Sequence, residues 1–138
     1  MLMLLIVLLL VSCASKNESA TVVIDYGSSD IYSKTDMDKA IKLIQEEFNT
    51  WDDCELHTLR YAGDNCNSAD NIAWMNDLSE AQNLGLTVSQ CIEFVSDFHS
   101  PVNPKNDTAW EADAEYTDWQ WYLAREDGGP WHLLTWGY

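Results

Sequence analysis

Apolar residues recur along this chain with two different periods. Met37, Ala40, Ile41, Ile44 and Phe48 fall three and four apart, while Lys39, Lys42, Glu46 and Glu47 fall mostly on the other side. That spacing predicts an amphipathic helix over about 36–50, with Trp51 closing it. Thr35 is the expected N-cap, with Asp38 three residues on to complete a capping box. Asp36 and Asp38 also suit the positive end of the helix dipole. A second helix is expected after Ser68, with Ile72, Met75 and Leu78 as its stripe and Trp74 near the edge; Gly85 ends that region.

Elsewhere the period is two. Over 88–99, Ile92, Phe94, Ser96 and Phe98 share one side, and Cys91, Glu93, Val95, Asp97 and His99 the other. Residues 117–125 form a further strand with Trp119, Trp121 and Leu123 on one face. Glu126-Asp127-Gly128-Gly129 is a hairpin turn, and 131–136 is the last strand. Residues 54–61 also read as a strand. Its alternation breaks near Thr58, which predicts a bulge there. Residues 21–27 begin as a short β-branched segment and end in a Gly-Ser-Ser turn; 100–116 is a loop with two prolines and many acids. Helices followed by antiparallel strands imply an α+β fold. The expectation is a curved antiparallel sheet of about four strands, packed on one face against the N-terminal and middle helices, as a single domain over 21–138.

Residues 1–11 form an unbroken apolar run. It is shorter than the roughly 20 residues a membrane span needs and has the length of a signal-peptide core. It ends in Leu10-Val11-Ser12-Cys13, which resembles the lipobox of bacterial lipoproteins. The resemblance implies a diacylglycerol carried as a thioether on Cys13 and cleavage that leaves Cys13 first. Residues 1–12 are then the signal peptide, and 13–20, polar from Ala14 to Ser19, a flexible tether. The start, Met-Leu-Met-Leu, departs from the basic start of ordinary signal peptides. The expected location is extracytoplasmic, with the protein anchored to the cell membrane by lipid; the two or three chains of a lipoprotein suffice for stable attachment.

The net charge of −16, from 23 acidic and 7 basic residues, excludes nucleic acid as an expected partner. It also opposes adsorption to anionic lipid, so membrane affinity falls to the anchor. Seven tryptophans can bury a large apolar area, and the core need not depend on disulfides or a metal. Beyond Cys13 the cysteines are Cys54, Cys66 and Cys91, an odd number. Cys54 and Cys66 flank a strand and turn and are candidates for a disulfide. Cys91, in an apolar run, reads as a small buried side chain. The three lack C-x-x-C spacing, so neither zinc nor any other cofactor is expected.

Residues 25–33, 54–64, 115–121 and 134–138 resemble small uncharacterised lipoproteins of Gram-positive gut bacteria, over most of the mature chain. Such proteins are similar to the nuclear-transport-factor-2-like, or cystatin-like, group. The resemblance implies an N-terminal helix packed into a curved sheet around a cone-shaped cavity. It implies no activity, because that architecture hosts enzymes and binders alike.

A cavity directs attention to His57, Tyr61, Asp97, His99, Trp119 and Trp121. Paired Asp and His in a dry pocket can perform acid–base chemistry. On the strand, however, Asp97 and His99 share their face with Glu93, which reads as solvent-facing. Trp119, Trp121, Trp131 and Trp136 lie on one hairpin, either as core or as an aromatic platform for a ligand. The acidic loop, with Asp107, Glu111, Asp113, Glu115 and Asp118, lacks the spacing of a calcium loop. G-x-S-x-G, H-E-x-x-H and phosphate-binding glycine motifs are absent from the sequence. The leading expectation is a non-enzymatic domain binding a small molecule or protein, with Trp119, Trp121, Tyr61 and His57 as candidate ligand contacts. Against it stand a small isomerase or hydratase using His57 or an Asp as base, and a structural envelope module pairing through its sheet.

Overall fold

The first helix opens on a capping box two residues earlier than the Thr35 pattern predicts. Ser33 Oγ accepts from the Asp36 N–H, and the Asp36 carboxylate accepts from the Ser33 N–H. The computed structural model describes residues 21–138. In that span the order is β1 (Val23–Asp25), α1 (Lys34–Phe48), β2 (Glu55–Tyr61), a 3-10 turn (Asp64–Asn67), α2 (Ala69–Asp77), α3 (Ser79–Leu84), β3 (Gln90–His99), β4 (Glu115–Arg125) and β5 (His132–Gly137). The expected signal peptide, the tether and Cys13 lie outside the described residues.

The fold is α+β, with a curved, unclosed sheet whose five strands lie in sequence order. Two expectations need correction. The β-branched segment at the front contributes a fifth strand, and β1 pairs parallel to β2, which makes the sheet mixed. The reason is the connection: α1 lies between them as a crossover and returns the chain in the same direction. β2 to β5 pair antiparallel. The register slips between Leu56 and Thr58, where the alternation breaks, and leaves His57 as the extra residue. Further single-residue bulges occur in β4 beside Asp118 and in β5 at Leu134.

Helices cover both faces rather than one. On the first face, Met37, Ala40, Ile41, Ile44 and Phe48 of α1 meet Leu59, Ile92, Phe94, Phe98, Trp121 and Leu123. These side chains occupy the space under the sheet. On the second face Met75 and Ala81, from α2 and α3, cover Cys91, Ala124 and Leu134. The single middle helix of the sequence pattern is two helices, because Leu78 is extended between them. Ser68 caps α2 by accepting from the Asn71 N–H, and Gly85 closes α3 in the left-handed conformation. Among the described residues no helix is long and apolar enough to cross a membrane.

Candidate functional site

The β4–β5 hairpin carries tryptophans of two kinds. Trp121 is 0% exposed. Its Nε1–H donates to the buried Ser96 hydroxyl at 2.9 Å, so its one polar corner is satisfied. Its ring stacks on Trp51 at 5.2 Å and on its cross-strand partner Trp136 at 5.9 Å. Trp131 is also buried, and its indole N–H donates to the Asp36 carbonyl at 3.2 Å. The Arg125 guanidinium lies 4.1 Å over that ring and donates to Gln90 Oε1 and Asp36 Oδ1. Burial works against the Asp36 charge, but the Arg125 and Ser33 bonds prevail and hold its carboxyl below the usual range. The turn end of the hairpin, with Trp131 and Arg125, and its inner face at Trp121 are structural.

The other end opens outward. Trp136 is 39% exposed, Tyr138 76% and Trp74 41%. Trp74 of α2 meets Tyr122 edge-on at 4.9 Å. With Trp136, Tyr138, Gln120 and Thr135 these two line an open hollow of about 180 Å³. Gln120 and Thr135 add an amide and a hydroxyl to a lining that mixes aromatic and polar groups. Trp119 stands behind it, 5.0 Å from Tyr138, in an aromatic group that includes Trp51, Phe98, Trp110 and Tyr116. Its Nε1–H is buried and has no partner among the described residues. An orphaned buried donor costs about 1–3 kcal/mol, and Trp119 itself does not line the hollow.

The other candidate contacts lie elsewhere. Trp121 and Tyr61, two of the expected ligand contacts, are packed in the first core. The Tyr61 hydroxyl is already committed, donating to Asp64 at 2.7 Å, and burial followed by that bond pushes its pKa up. Asp64 also accepts from the Ser29 hydroxyl at 2.5 Å and the Asp30 N–H at 2.8 Å, which hold its carboxyl below the usual range. This clasp ties the β1–α1 loop to the end of β2. Asp64 sits in a plain turn sequence, and only its three tertiary partners reveal it.

His57 and His99 stack at 6.4 Å and share one carboxylate. Glu115 meets His57 Nδ1 at 3.1 Å and His99 Nδ1 at 3.0 Å, while Asp113 meets His99 Nε2 at 2.8 Å. The Asp113 carboxylate, then Glu115, raises the His99 pKa above its ordinary value. Asp97 turns away to Thr58, Arg60 and the Asp118 N–H. The histidines therefore reach acids, but on open surface at the bulged end of the sheet. The isomerase reading calls for such a pair inside a cavity, whereas these two imidazoles are each about one-third exposed.

Cys54, Cys66 and Cys91 are free thiols. The Cys54–Cys66 bridge does not form because the whole of β2 separates the two. Seven extended residues span roughly 20 Å, several times the reach of a disulfide. Burial pushes the Cys91 thiol up to about 12. Among the described residues no group of three or more His, Cys, Asp or Glu is placed to hold a metal ion. No protein family, curated protein or solved structure matches the chain.

Proposed function

We propose that this chain is a lipoprotein tethered outside the cytoplasm through Cys13, and that its domain is a non-enzymatic binding module. The lipobox-like Leu10-Val11-Ser12-Cys13 supports the tether, as does the likeness to lipoproteins of Gram-positive gut bacteria. The observation that carries the binding reading is the hollow at the open end of the β4–β5 hairpin. Two tryptophans and two tyrosines line it together with Gln120 and Thr135. A small uncharged ligand with a flat apolar face and hydroxyl edges, the chemistry of a sugar ring, suits that lining.

Two measurements test this. Palmitate labelling should mark the full chain and be lost in Cys13→Ser; an unlabelled protein retaining its first dozen residues ends the tether reading. Titration with a panel of neutral mono- and disaccharides, followed by NMR, should give saturable shifts of the Trp74 and Trp136 indole N–H signals. A panel that leaves both unmoved ends the sugar reading of the hollow.

A further inference from the structure

The last strand of the sheet is an edge. Among the described residues β5 pairs with β4 on one side and with nothing on the other. Its sequence, His-Leu-Leu-Thr-Trp-Gly, contains neither the lysine nor the proline that commonly blunts such an edge. The one irregularity, the bulge at Leu134, accompanies burial of that side chain against α2 and α3. The opposite edge, β1, is only three residues long and carries Asp25.

β5 is also flanked by walls. α1 runs alongside it, with Asp36 bonded to Trp131 at one end and Trp51 stacked on Trp121, the neighbour of Trp136, at the other. α3 approaches from the opposite face. Between them lies an open groove of about 500 Å³, lined by Leu43, Leu133, Leu134 and Trp136 and rimmed by Glu46, Glu47 and Glu80. Lys42 neutralises Glu46, so the rim is left with an acidic excess in a chain of net charge −16.

We infer that the β5 edge is a docking site for a basic, extended peptide strand, in which lysine or arginine alternates with branched apolar residues. The inference rests on reading the hairpin as a binding face, and it names the partner for its edge. Backbone groups of the incoming strand would pair with the free side of β5. Its apolar residues would cover Leu43, Leu133 and Trp136 on the α1 side, and its cations, alternating to the other face, would meet Glu80 of α3. A second copy of this chain fits worse. Two β5 edges paired about a two-fold axis would bring the same carboxylates together across the interface, between molecules that already repel.

The probe is a synthetic peptide of about six residues, the length of β5, alternating Lys and Val. Added to the isotope-labelled full chain, it should bind saturably, shift the amide signals of His132 to Gly137, and weaken as salt is raised. Methylating alternate backbone nitrogens of the peptide keeps its charge and blocks strand pairing. It should weaken binding by about tenfold, the loss expected from two or three backbone hydrogen bonds. Glu80→Lys, an exposed change away from the core, should weaken it several-fold. No saturable binding overturns the inference. So does equal binding of the methylated peptide, or a salt-insensitive dimer of the chain built on β5. If the peptide fails while saccharides still shift Trp74, only the edge site falls; if both fail, the binding-module reading falls with it.

Discussion

Trp121 and Trp136 face each other across one hairpin and stack on one another, yet they belong to different economies of the molecule. Trp121 is sealed between α1 and the sheet, with Ser96 taking its N–H. Trp136 stands at the edge, beyond the reach of that cover, and shares two surface depressions with residues of α1, α2 and α3. The lesson is that tryptophan content marks neither core nor site by itself. The fate of the indole N–H is more informative. It is satisfied in Trp121 and Trp131 and orphaned in Trp119, which stands next to the open end.

The contrast can be broken at either end. Trp121→Ala should cost about 3–5 kcal/mol in urea unfolding, since it empties the middle of the first core and strands the Ser96 hydroxyl. A loss below about 1 kcal/mol would mean that Trp121 does not anchor that core. Arg125→Met keeps the apolar stem over Trp131 but removes the bonds to Gln90 and Asp36. It should cost about 2 kcal/mol, the range for hydrogen bonds to charged groups. Trp136→Ala should cost less than Trp121→Ala, about 1–2 kcal/mol because its ring is partly exposed, while abolishing saccharide and peptide shifts. If it unfolds the protein instead, the open end is structural too.

The smallest expected effect concerns pH. The His99 pKa is raised in the folded protein by Asp113 and Glu115. Its contribution is therefore fully present below the ordinary histidine value of about 6.5 and is lost as pH rises through the higher folded value. The loop between β3 and β4, which those acids help to close, should exchange its amide hydrogens faster above that value once the intrinsic pH effect is removed. His99→Gln should flatten the difference. Equal protection in the native protein on both sides of the folded midpoint would show that the cluster does not hold the loop.

Much of the fold was legible beforehand, for identifiable reasons. The inward set Ile92, Phe94, Ser96 and Phe98 followed from simple alternation, and the broken alternation near Thr58 located a real bulge. The capping box was misplaced because Ser33…Asp36 and Thr35…Asp38 have the same spacing. Tertiary contacts distinguish them: Asp36 Oδ1 is held by Arg125, 89 residues away, while Oδ2 serves Ser33. The hollow was only half visible. The hairpin was indicated by its tryptophans, but Trp74 comes from a helix on the second face and Tyr138 from the chain end.

The sequence by itself determined where the period is two and where it is near four, which side of each element is apolar, and how negative the chain is. These are local properties, set by backbone geometry and by the residue types in one short window. Only the tertiary structure decided that β1 joins in parallel, that helices cover both faces, that three thiols stay apart from disulfide pairing, and which tryptophans meet water. Burial and pairing depend on two surfaces meeting, and no single segment encodes the surface that will cover it.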